Sequence, residues 1–182
     1  MDAVEFGTRL IAKARQSVFD PKTKTGAFES AGPNTDGGGF VDQCQAEMGL
    51  TPGHSWCACA VCKWVRDTSR EAGVTVSKFK RSASALRMLE LNAALVVTDP
   101  QPGDIVIWDH TVDPAKPQGH VAILTDVVKV NGAVAGLAAI AGNTSADGTS
   151  RNGDRCAEHP VAYPDRRIVG YVRITPDAPP VA

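Results

Sequence analysis

The hydrophobic pattern of this 182-residue chain changes period once, at the turn Pro102-Gly103-Asp104. Before that turn the apolar residues recur at helical spacing, and after it they come in short runs separated by turn residues. Residues 2–18 read as an amphipathic helix, with Val4, Leu10, Ile11 and Ala14 on one face and Phe6 beside them. Residues 20–53 are loop-rich, carrying Gly32-Pro33, Gly37-Gly38-Gly39 and Pro52-Gly53, with a short helix expected near 39–48. The main helix starts near Ser55 or Trp56 and runs to about Glu71, and a further helical stretch covers about 82–92. Beyond the turn, strands are expected at 105–108, 120–127, 134–141 and 167–174, joined as an antiparallel sheet. Helices first and strands last define an α+β fold with helices on one face of a small sheet.

Length and composition narrow the function classes. The chain suffices for one domain with a core of its own, here drawn as residues 1–175. The tail from Pro176 to Ala182 is Pro/Ala-rich and reads equally as the start of an interdomain linker or as a frayed terminus. A formal net charge of -1 carries no polyanion-binding signature, so no nucleic-acid partner is expected. No run is long and apolar enough for membrane insertion, and Asp2, Glu5, Arg9, Lys13 and Arg15 interrupt any secretory leader. Cys44, Cys57, Cys59, Cys62 and Cys156 lack the regular spacing of a disulfide scaffold and read as mostly reduced thiols.

Three short strings carry chemistry. Ser55-Trp56-Cys57-Ala58 heads the main helix, Gly119-His120-Val121-Ala122-Ile123-Leu124 opens a strand, and Ala141-Gly142-Asn143 ends the next. A thiol, an imidazole and an amide in that order suit nucleophilic acyl transfer. At a helix start, free N–H groups favour thiolate over thiol and can hold an oxyanion, so a His-paired thiolate is expected below about pH 7. The alternative is a small buried hydrophobe. His120, alone at the head of an apolar strand, suits a general base, and His54 is a weaker candidate. Asn143 suits the group that orients the base, although Gly142-Asn143-Thr144-Ser145 is also ordinary turn chemistry. Asp109 and Asp126 are substitutes; Asp126 shares a face with His120 but lies about 20 Å along the strand. Cys59 and Cys62 project roughly 200° and 140° around the helix from Cys57, outside its site if the helix is regular. A zinc cluster would require that helix to be absent.

Together these strings resemble the CHAP branch of the NlpC/P60-type cysteine peptidases, the peptidoglycan hydrolases of phage lysins and bacterial autolysins. Glu29–Asn34, Pro52–Ala58, Gln101–Trp108, Gly119–Leu124, Ala141–Asn143 and Val169–Arg173 carry the likeness. The resemblance implies a papain-like fold in which the sheet packs on the nucleophile helix. It implies Cys57 as nucleophile, His120 as base and Asn143 as orienting group, with Trp56 and Trp108 as cleft walls. Some relatives place a carboxylate where Asn143 stands. Some bind calcium through an acidic loop before the cysteine, but Asn34-Thr35-Asp36-Gly37-Gly38 is a short acidic set, and no metal or other cofactor is expected. The implied substrate is an amide in the peptide part of peptidoglycan, cut by an endopeptidase or by an N-acetylmuramoyl-L-alanine amidase. A non-catalytic wall-binding module and a zinc-stabilised interaction domain are the rival classes. The resemblance further implies a separate wall-binding domain in a longer protein. It also implies synthesis in a host bacterial cytoplasm, with action on the wall after release.

Overall fold

A computed structural model describes residues 1–150 and 152–178. Helix α1 spans Ala3–Arg15; the Asp2 carboxylate caps it by accepting from Glu5 N–H at 2.8 Å. Phe6, Leu10, Ile11 and Ala14 form its buried stripe, at the spacing the sequence carries. Helix α2 is short, Phe40–Ala46. Helix α3, Cys57–Ala72, ends where Gly73 takes the left-handed conformation at φ 64°. Helix α4 spans Ala85–Leu91 and is capped by Ser84.

Six strands follow: β1 Val96–Val97, β2 Ile105–Asp109, β3 Gly119–Val130, β4 Ala133–Thr144, β5 Arg155–Val161 and β6 Ile168–Val172. Their order across the sheet is β1-β6-β2-β3-β4-β5, and every paired strand is antiparallel. The α+β reading therefore holds, with helices mostly N-terminal and strands C-terminal. Two strands differ from expectation. The two-residue β1 is too short to leave a period, and β5 is an edge strand whose Glu158 and Pro160 break the apolar run. An edge tolerates a proline because one side of its ladder is unpaired.

Alternation along the strands divides the core in two. Ile105, Ile107, Val121, Ile123 and Ile140 face the helices, beside Phe6, Leu10, Val61, Trp64 and Val65. Val106, Trp108, Ala122, Leu124, Ala139 and Ala141 face the other way, packed with Val127, Val134, Val161, Ile168 and Tyr171 of the strands themselves. The turn before β2 locks the layers together. Gly103, at φ 92°, lies so close to Gly7 of α1 that an added Cβ would meet Gly7 Cα at 2.3 Å. Asp104, 2 % exposed, accepts two hydrogen bonds from the Arg173 guanidinium at 2.9 and 2.8 Å.

Near the chain end, Asp177 docks on residues 75–77 through Thr75 Oγ1, Ser77 Oγ and Ser77 N–H. The rest of the expected linker, residues 179–182, lies outside the described residues. Among the described residues no helix is long and apolar enough to cross a membrane.

Candidate active site

The site is built where β3 and β4 part. Their pairing runs from the hairpin at Val130 and Ala133 to Ile123 opposite Ile140 and goes no further. Leu124 N–H donates to Asp104 O, and Leu124 O accepts from Gly103 N–H. Even-numbered residues at this end of β3 thus turn their backbone groups toward β2, and odd-numbered ones toward β4. Val121 N–H therefore points into the opened seam, and it meets the sulfur of Cys57 there. On the other side of the seam, Gly142 of β4 lies against the same helix end. A Cβ on Gly142 would stand 2.5 Å from Trp56 Cζ3 and 3.0 Å from Ala60 Cβ. The N-terminus of α3 is thus wedged between Val121 and Gly142, the chain neighbours of His120 and Asn143.

Three backbone N–H groups, of Ala58, Val121 and Cys57 itself, favour the thiolate, yet burial outweighs them and pushes the Cys57 thiol up to about 11. This departs from the thiolate expected below about pH 7. The helix end supplies its donors, but Cys57 is 7 % exposed and loses more hydration than they return. The resting thiol is protonated at neutral pH. Its opening to solvent is a cavity of about 470 Å³ lined by Ser55, Cys57, Ser84, Gln118, Gly119 and Asn152.

His120 is buried and pairs with Trp108 across β2 and β3, their rings 5.7 Å apart. Both line a cavity of about 200 Å³, together with His110, Thr149 and His159, and Cys57 lines a different one. Asn143, 1 % exposed, stands at the end of β4 in the left-handed region at φ 54°. Asn143 lies beyond the last β3–β4 pair, Ile123–Ile140, where the ladder of β4 with β5 also shifts register between Ala141 and Thr144.

Other candidates fall elsewhere. Trp56 is fully enclosed, its Nε1–H donating to Glu29 Oε1 at 2.9 Å, so it packs beneath the seam and does not wall a cleft. Cys59 and Cys62 are buried in the core, and Cys62 Sγ faces Ser82 O. Cys44 and Cys156 are likewise buried, and all five cysteines are free. His54 is exposed on the loop before α3. Asp109 accepts from Thr111 N–H, and Asp126 is exposed on the outer part of β3. In the loop before α2, Asp36 accepts from Val41 and Asp42 N–H, while Asp42 accepts from Gly38 N–H and Thr35 Oγ1. Those carboxylates are spent on their own backbone and do not fit a calcium site. Among the described residues no group of three His, Cys, Asp or Glu is arranged to hold a metal. Sequence reasoning did not single out Asn152, which lines the thiol cavity; a lone asparagine beside a glycine carries only a turn signal.

A family model described as CHAP domain matches residues 49–137, a stretch that includes Cys57 and His120 and stops before Asn143. No curated protein and no solved structure matches the chain.

Proposed function

We propose that this chain, whose residues 49–137 match the CHAP domain model, is a peptidoglycan hydrolase that cuts an amide in the peptide part of the wall through a thioester on Cys57. Cys57 Sγ attacks the carbonyl carbon while its proton passes to His120. The resulting oxyanion is held at the N–H groups of the α3 terminus. The C–N bond then breaks, and His120 returns the proton to the leaving amine. Water, deprotonated by His120, attacks the thioester; the C–S bond breaks, the carboxylate leaves and the thiol is restored. Asn143 fixes the tautomer of the base, and Trp108 walls the cleft. Burial pushes the Cys57 thiol up, so in this reading His120 acts as a general base during attack.

The observation that carries this reading is the CHAP match that spans both Cys57 and His120, with the Cys57 thiol at the α3 terminus opening on a solvent cavity. Endopeptidase cleavage of stem or cross-linking peptides is the favoured form, with amidase cleavage the alternative. The test is Cys57→Ala on purified peptidoglycan. Soluble fragments should stop appearing while the circular dichroism stays that of the parent. Turnover near the parental rate would end the proposal. Mass spectrometry of the fragments released by the parent decides between endopeptidase and amidase.

A further inference from the structure

An asparagine amide can be seated in two orientations that are chemically opposite: one offers oxygen to a neighbour, the other offers N–H. An imidazole N–H needs the oxygen. At Asn143 the choice is made by the loop that follows. Asn143 Nδ2 donates to Asn152 Oδ1 at 3.4 Å, which leaves Asn143 Oδ1 buried and without a partner among the described residues. The same loop grips the Asn143 backbone, because Gly153 N–H donates to Asn143 O at 3.1 Å. Only glycine fits there, since a Cβ on Gly153 would lie 2.1 Å from the Thr144 carbonyl carbon. The loop closes on itself through Thr144 Oγ1 to Ser150 O at 2.8 Å and Asn152 N–H to Ser150 Oγ at 3.2 Å. It holds Asn143 at φ 54°, a conformation costly for most side chains though less so for asparagine.

We propose that Asn152 is a positioning residue that seats the Asn143 amide oxygen-first toward His120. This rests on the reading of Cys57, His120 and Asn143 as the reacting set. Without Asn152 the amide can turn over and present N–H to N–H, and the imidazole loses its preferred tautomer.

The experiment measures kcat and KM on soluble muropeptides for Asn152→Ala, Asn152→Asp, Asn143→Ala and the double alanine variant, with ¹⁵N NMR of the His120 ring as a second readout. Asn152→Ala should lower kcat about tenfold with KM within about twofold, and the ring should change its tautomer balance. Asn152→Asp should recover to within about threefold of the parent, because a carboxylate oxygen still accepts from Asn143 Nδ2. In the Asn143→Ala background, Asn152→Ala should cost nothing further, as residues acting through one another are not additive. The inference is overturned if Asn152→Ala leaves kcat and the ring unchanged, or if its effect multiplies with that of Asn143→Ala. Should Cys57→Ala remain active, the reading of the site fails; should Cys57→Ala be dead and Asn152→Ala behave as the parent, only this inference fails.

Discussion

Gly142 shows how much rests on one absent methyl group. The Trp56 ring occupies the space a side chain there would need, at 2.5 Å from the nearest ring carbon. Gly142→Ala should therefore destabilise the protein by about 1–3 kcal/mol, read as a lower urea midpoint with an unchanged slope. It should also lower hydrolysis by pushing α3 away from the seam. The same scale decides the nucleophile. Burial raises Cys57 to about 11, so the thiolate fraction of the free protein grows with pH throughout the neutral range. Alkylation of Cys57 by iodoacetamide, followed by peptide mass mapping, should accelerate steadily from about pH 7 through pH 9 and beyond. A plateau reached below pH 7 would show a preformed ion pair with His120 and overturn this reading.

At the scale of elements, the helices and the β2–β3–β4 unit were legible because each carries enough residues to show a period. The main helix begins and ends within a residue or two of the expected start at Ser55 or Trp56 and the expected end near Glu71. Strand β5 was missed because an edge strand buries only alternate positions, and Pro160 and Glu158 occupy the others. Beside the β2–β6 pairing stands a contact that no period reveals, the Asp104–Arg173 ion pair formed by residues 69 positions apart. Arg173→Ala leaves the buried Asp104 without its cation and should cost about 3 kcal/mol, measured by denaturant unfolding. Loss below about 0.5 kcal/mol would mean that water replaces the guanidinium. Within α3, Cys59 and Cys62 lie in the core away from the seam. Cys59→Ser and Cys62→Ser should each lower stability by about 1–2 kcal/mol while the folded variants keep their hydrolytic rate. If both abolish hydrolysis in a folded protein and the parent releases zinc, the metal reading replaces the thiol one.

For the whole molecule, the buried thiols set an alkaline limit. Burial is the leading cause at all five: Cys57 and Cys62 are pushed to about 11, Cys59 to about 12, and Cys44 and Cys156 upward. In the unfolded chain these groups lose protons near pH 8.5, while the folded chain keeps them. Above that pH the unfolded state binds fewer protons than the folded one, so stability falls as pH rises. The unfolding midpoint should be flat from about pH 6 to 8 and drop between about pH 9 and 11. A variant with Cys156→Ala should show a shallower drop.

The chain by itself determined where the period changes, which residue types stand at the head of α3, β3 and the end of β4, and the order in which they come. Those are local properties, written in spacing and turn chemistry. Tertiary structure decided that β3 and β4 part after Ile123 and Ile140, and that the α3 terminus enters the gap. It also enclosed Trp56 while leaving Trp108 on a cavity, and it raised the thiol that the helix end alone would lower. The physical reason is that desolvation and packing sum over every neighbour in space, and a residue's neighbours in space are chosen by the whole fold.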